Sequence, residues 1–289
     1  MKAAPFEYSR ATTVDEACAL LAADDSARLI AGGQTLVPMM AMRLARPTRL
    51  IDINRIAALA YIHAEGDSVA IGATTRQNVI ERDPIIAREL PLLAKAVPWI
   101  GHAATRARGT IGGSLANADP AAESALIAVT LGASIGYRLG GRDHTMAAGD
   151  FFASAMVTAL PAGACLTSVR FPVWRGRIGT GFHEVSARKS DFAFAAAAAQ
   201  VELADDGRCK RIAIGVGATT DCPIRLTAAE TQLAGSGLEP AKVRSAVADA
   251  FAGIETLSDL HASADYRRRA AIALATRAIA DAATSAKGH

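Results

Sequence analysis

Two short stretches carry residues that could do chemistry. Ala31-Gly32-Gly33-Gln34-Thr35-Leu36 and Thr110-Ile111-Gly112-Gly113-Ser114 share a glycine pair followed at once by side chains that hydrogen-bond. Adjacent glycines let the backbone turn through positive φ and let a ligand approach with no Cβ in the way. Successive N–H groups in such a turn form a concave anion cradle, and a helix starting just behind adds its dipole. Gln34, Thr35, Thr110 and Ser114 would add side-chain hydrogen bonds, so a pyrophosphate could be held without any lysine. The loops match neither G-x-G-x-x-G nor the P-loop pattern. One glycine pair after a strand is most simply a turn. With two alike, a turn and an anion cradle both stay open.

Other candidates weigh differently. Asp119 and Glu123 could be a carboxylate pair for acid–base work, but their place at a helix start favours capping and ribose hydrogen bonding. His102 stands alone, and Met39, Met40, Met42 and Trp99 read as core. The run Arg267-Arg268-Arg269 reads as a solvated helix face, with docking of a partner as the sharper alternative. The four cysteines, Cys18, Cys165, Cys209 and Cys222, have no C-x-x-C spacing, which suits buried thiols in a reducing compartment and excludes a recognisable iron–sulfur or zinc site. No residue stands out as catalytic acid, base or nucleophile.

The elements that must position these residues read as follows. "TVDEACALLAAD" has a capping box in Thr13 and Glu16, "ARLIAGG" is a strand, "TLVPMMAMRLARP" a helix capped by Thr35, and "TRLIDI" another strand. "SVAIGA" then opens a second block containing a long proline-broken helical stretch. In that block Asp119 and Pro120 start the helix "AAESALIAVTLGA", and "ASIGYR" and "ACLTSVRFPV" are strands around a loop with Phe151 and Phe152. Gly/Arg-rich "VWRGRIGTG" marks a boundary near residue 175. Beyond it "RIAIGVGA" alternates as a strand and three helical stretches follow, while the alanine run 193–199 favours a helix by propensity. A chain of 289 residues, 51% apolar, with a net charge of +3, is globular. Its basic residues lack the aromatic interleaving of a nucleic-acid surface. No segment has the uncharged length of a membrane span or the apolar run of a signal peptide, so the chain reads as cytoplasmic.

"AGGQTLVP" together with "TIGGSLANADPAAE" resembles the FAD-binding medium subunit of molybdenum hydroxylases, the carbon monoxide dehydrogenase and xanthine dehydrogenase family. The likeness extends to "PFEYSRATTVDEACALL", "LTSVRFP", "FHEVSARKSDFAFAAAAAQVEL" and "HASADYRRRAA". It implies an α+β chain. Residues 1–175 would be an FAD-binding domain of the vanillyl-alcohol-oxidase (PCMH) type, in subdomains of about 1–60 and 61–175. Residues 176–289 would be a C-terminal α+β domain with an antiparallel sheet and helices. It also implies a strand, not a helix, over 192–203.

By the same resemblance Ala31 to Leu36 and Thr110 to Ser114 would wrap the pyrophosphate of a non-covalent FAD. Asn117, Asp119 and Glu123 would lie along the dinucleotide, Leu166 near the adenine or ring edge, and Ile100 near the flavin. Many relatives carry a lysine just after the aromatic corresponding to Phe182; "FHEVSARK" lacks it, which leaves His183, Arg188 and Lys189 as candidates for that contact. The implied partners are a large molybdopterin-binding subunit, a small subunit with [2Fe–2S] clusters and an external electron acceptor, in a dimer of heterotrimers. A free-standing FAD oxidoreductase and a nucleotide-binding scaffold without redox role are the alternatives.

Overall fold

The computed structural model describes residues 2–288. The first unit is a parallel three-stranded sheet in which Arg49–Asp52 is flanked by Glu7–Arg10 and Arg28–Ile30. Parallel neighbours need crossovers, and helices Val14–Ala22 and Leu36–Ala41 lie in them. Thr13 caps the first helix, accepting from Glu16 N at 3.1 Å. The reciprocal bond is displaced by one residue, because the Glu16 carboxylate accepts from Thr12 N and Thr12 Oγ1, both at 2.7 Å. The second helix is shorter than its apolar pattern, and Thr35 makes no capping bond, contrary to the capping expected from sequence.

The second unit is an antiparallel sheet in the order Ile62–Glu65, Ser68–Gly72, Cys165–Pro172, Ser134–Leu139, Arg142–Ala147. Val69, Ile71, Ile135, Val169 and Phe171 pack with the helical residues Ile86, Leu92, Leu93, Leu115 and Leu126. The helical stretch after residue 76 is cut into Gln77–Ile80, Pro84–Glu89 and Pro91–Ala96, because Pro84 and Pro91 each fit a first turn but not an interior. The next long helix is Glu123–Leu131, capped by Ala122; Asp119 instead closes the preceding turn, accepting from Ala121 N at 2.9 Å. Trp99 is 39% exposed rather than core, with its ring 5.8 Å from that of Phe182, and Met42 is likewise exposed. Phe151 and Phe152 are buried, Phe151 at the end of the short helix Ala148–Phe151.

The third unit pairs Arg177–Ser186, Ala193–Leu203, Cys209–Gly217 and Ile224–Arg225 in an antiparallel sheet. Helices Thr227–Leu233, Pro240–Ala250 and Ala264–Lys287 follow. The alanine run is a strand, against its helix propensity. Ala195, Ala197 and Ala199 pack with Ala271, Ala275, Ala278 and Ala282 of the last helix, while Ala196 and Ala198 pack with the core of the second unit. A strand buried on both faces shows no polar alternation, and tertiary packing overrides the local preference. Small side chains let the last helix approach closely. A Cβ on Gly181 would fall well inside contact with the Ala278 carbonyl, and one on Gly179 would do the same at Ala282.

Two residues of the arginine run leave the expected solvated face, on which Arg269 alone stays exposed. Buried Arg267 donates to Phe194 O (2.8 Å), Ala218 O (2.7 Å) and Asp259 Oδ2 (2.6 Å), and Arg268 donates to Phe251 O and Ile254 O. Among the described residues no helix is long and apolar enough to cross a membrane. Gly181→Ala should therefore lift the last helix off the sheet and cost about 3 kcal/mol, measured by denaturant unfolding. An unchanged midpoint would mean the helix is not seated on this strand.

Candidate functional site

A cleft of about 850 Å³ lies between the first and second units, within the size range of small-molecule sites. The first glycine loop forms one wall. A Cβ at position 32 would stand 2.5 Å from Arg108 O and 2.9 Å from Gly109 Cα, so only glycine lets the two units close here. Gly33 turns the chain at φ +70. Gly33 O accepts from Val37 N at 3.1 Å, and Gln34 Nε2 donates to Gly32 O at 3.1 Å. Among the described residues the backbone N–H groups from Gly32 to Leu36 have no partner in the protein, and the Thr35 hydroxyl is uncommitted. This is an open row of donors.

The second glycine pair differs, although its sequence looks alike. It forms the first turn of helix Ile111–Asn117. Ile111 N donates to Thr75 O (3.1 Å), Gly112 N to Ala73 O (2.9 Å) and Gly113 N to the capping Thr110 Oγ1 (3.0 Å). A Cβ on Gly112 would stand 2.6 Å from Ala73. This pair is not a second amide cradle; it brings a helix start close against the sheet, and Thr110, Gly112, Gly113 and Ser114 line the cleft with their bulk.

Sequence reasoning missed the network that holds the first loop. Asn54 Nδ2 donates to Ala31 O (2.9 Å) and to Asp52 Oδ1 (2.7 Å), and Tyr8 OH donates to Asp52 Oδ2 (2.5 Å). Arg76 donates to Asn54 Oδ1 (2.6 Å) and, through its other nitrogen, to Arg108 O, the carbonyl that faces Gly32. Polar residues at a strand end are the only local signal, and it is one shared by most turns.

Of the remaining predicted residues, Ala31, Gln34, Leu36, Ile100, Asn117, Asp119, Glu123 and Leu166 also line the cleft. Ile111 lies beneath it, 1% exposed in the core. His183 points away, its Nε2 2.8 Å from Asp281 Oδ2 on the last helix, and Arg188 pairs with Asp191 at 2.9 Å outside the lining. Exposed Lys189 is likewise outside the lining, whereas Ser190, Asp191 and Phe192 of the same turn belong to it. His102 lines the cleft too, as does Leu21.

Glu184 takes the inward position one residue beyond His183, since successive strand side chains alternate. Its Oε2 is buried without a partner. Burial, reinforced by nearby Glu123, pushes the Glu184 carboxyl up to about 8. Burial pushes Glu123 up to about 7, with Asp119 adding to the rise and Arg106 opposing it; burial also raises Asp119. The cleft thus joins a row of unpartnered amides to apolar walls and to the Glu123 carboxyl, which burial raises to about 7, with Glu184 lying behind it outside the lining.

Comparison with known proteins matches the chain to a family. Residues 4–174 match "FAD binding domain in molybdopterin dehydrogenase", and residues 180–282 match "CO dehydrogenase flavoprotein C-terminal domain". The chain is 36% identical over 283 residues to the 6-hydroxypseudooxynicotine dehydrogenase complex subunit alpha of Paenarthrobacter nicotinovorans, covering 98% of this chain and 96% of that one. It is 34% identical over 285 residues to the carbon monoxide dehydrogenase medium chain of Afipia carboxidovorans, covering 98% of both. A solved carbon monoxide dehydrogenase from Hydrogenophaga pseudoflava, lacking the Mo-pyranopterin moiety of its molybdenum cofactor, superposes with a TM-score of 0.95 at 34% identity over 99% of each chain. With both halves matched, and relatives above 30% identity along nearly its whole length, the chain belongs to the FAD-binding medium subunits of the molybdenum hydroxylases, as an oxidoreductase component.

Proposed function

We propose that this chain is the electron-transfer subunit of a heterotrimeric molybdenum hydroxylase, with residues 1–175 holding non-covalent FAD and 176–289 forming the flavoprotein-type C-terminal domain. The observation that carries the reading is the open amide row from Gly32 to Leu36, sealed against Arg108 and Gly109 and facing a cleft of dinucleotide size. FAD held there would supply one-electron chemistry linking the [2Fe–2S] clusters of a small partner, downstream of a large molybdopterin-binding subunit, to an external acceptor. The amide row and the Thr35 hydroxyl hold the pyrophosphate. Asn117 and Asp119 hydrogen-bond along the sugar chain, and Ile100 and Leu166 offer apolar faces to the rings. No residue is asked to act as acid, base or nucleophile on a substrate, since that substrate meets the large subunit. A dimer of heterotrimers and a cytoplasmic setting, which suits four free thiols, complete the proposal.

Protonated carboxyls matter to an anionic ligand. Glu123 and Glu184 have folded values raised above the ordinary 4.5, to about 7 and about 8. The folded chain therefore binds more protons than the unfolded one across this window, and stability contributed by the neutral forms is lost as pH rises through it. FAD affinity should fall in the same direction as the two groups become anions.

Several measurements test this reading. Thr35→Ala should weaken FAD binding to the FAD-stripped chain by about tenfold, the loss of one hydrogen bond to a charged group, while circular dichroism stays unchanged. Gly32→Ala should abolish retention of FAD. Affinity unchanged in both variants would place the cofactor elsewhere. FAD titrated between pH 6 and 9 should bind progressively more weakly, and the paired change Glu123→Gln, Glu184→Gln should flatten the curve; a wild-type curve flat from the outset would refute the proton-holding role. Purified from its host, the chain should bring two further subunits with iron and molybdenum. Flavin reduced by a small-molecule substrate of the isolated chain would instead establish a free-standing oxidoreductase.

A further inference from the structure

We propose that Arg106, gripped by Glu81, is the positioning residue that fixes the cleft wall at residues 100–102, where the ring system of the bound dinucleotide is seated. The ring contact rests on the FAD reading; the grip itself does not. Ile100, Gly101, His102 and Thr105 all line the cleft, so the shape of this wall follows the path of the turn. Little within the turn fixes that path. Gly101, at φ +46, brings the freedom of a glycine. His102, which begins helix Ala103–Arg108, makes no side-chain capping bond.

Arg106 supplies the constraint from within the helix. Its Nη1 donates to Ile100 O at 3.2 Å and to Gly101 O at 3.0 Å. Its Nε and Nη2 donate to the Glu81 carboxylate at 2.8 and 3.0 Å. The two side chains are only 12% and 23% exposed, so solvent screens the pair weakly. A planar guanidinium is needed for this fork. A lysine has one nitrogen and cannot hold a carboxylate in two parallel bonds while reaching two carbonyls. Glu81 sets the plane of the guanidinium, and hence where Nη1 points. It also cancels the charge, so the turn gains a fixed position without a strong local field.

The grip is one half of a bracket. Helix Gln77–Ile80 is flanked by Arg76 and Glu81. Glu81 takes hold of helix Ala103–Arg108 at Arg106, and Arg76 takes its far end by donating to Arg108 O, the carbonyl that faces Gly32. Between them in sequence, Gln77 N donates to Gly109 O at 2.9 Å. One short element therefore holds, through the helix it grips, both the turn 100–102 and the contact that seats the amide loop. Arg106 also lies near enough to Glu123, another lining residue, to oppose the rise of its carboxyl.

FAD titrated into the stripped full-length chain tests this. Arg106→Gln and Arg106→Lys should each weaken binding by about tenfold, the scale of a coupling carried by one hydrogen-bonded pair. The lysine keeps the charge and loses the fork. Glu81→Gln, which preserves size and shape, should weaken binding in the same direction. Adding Glu81→Gln to Arg106→Gln should cost little more, because each residue acts through the other. At saturating FAD the visible circular dichroism of the bound flavin should change in every variant, a signature of the ring's surroundings that lost stability alone does not move. In the FAD-free variants, hydrogen exchange should speed up at residues 100–103 and stay as in wild type on strand Cys165–Pro172, which separates a loosened turn from a failure to fold. Wild-type affinity and flavin bands in Arg106→Gln would overturn the positioning role and leave the flavin reading standing, and unchanged exchange at 100–103 would overturn the grip itself. Faster exchange there, in a protein whose wild type takes up no FAD, would uphold the grip and refute the flavin reading.

Discussion

One backbone-on-backbone contact organises the site. Residue 32 passes so close to Arg108 and Gly109 that no side-chain carbon fits between them. A loop after strand Arg28–Ile30 and the end of helix Ala103–Arg108 meet there with their peptide groups, and a contact of that kind leaves polar atoms that need partners. Asn54 and Arg76 supply them, one from the first unit and one from the second, reaching Ala31 O and Arg108 O while bonded to each other. The donors left over, from Gly32 to Leu36, belong to a segment that lines the cleft. The cradle follows from how the loop is held on its other side.

The third unit sets the far boundary. Its sheet is buried on both faces, by the last helix on one and by the helices of the second unit on the other. A strand in that position has its register specified by every side chain. Strand Arg177–Ser186 is thereby fixed with Phe182 against Trp99 and Glu184 beside Glu123, while His183 turns to Asp281. In this stretch Glu184 brings a carboxyl group inward. Burial without a hydrogen-bonding partner makes the neutral acid the cheaper form. An acid in that state donates hydrogen bonds and places no negative charge beside Glu123, which lines the cleft.

The same logic explains why the two glycine pairs, so alike in sequence, differ in role. The first follows a strand whose neighbours satisfy its carbonyls, so the turn keeps its donors free. The second begins a helix lying on Ala73 and Thr75, and these carbonyls consume its donors. A glycine pair marks a place where backbone can approach something closely; whether that is a ligand or another strand depends on what the fold puts opposite.

The sequence by itself determined the Thr13 cap, the proline breaks in the helical stretch after residue 76 and, through paired loops and a full-length resemblance, the family. Capping, turn chemistry and periodicity are local, and local interactions are readable along the chain. Tertiary structure decided the rest. It made a strand of the alanine run, whose partners lie on elements far away in sequence, and it turned Arg267 and Arg268 inward onto carbonyls of a distant segment. It gave Gly112 and Gly113 partners that Gly32 and Gly33 lack. Contacts between residues remote in sequence arise only when separate sheets close on one another.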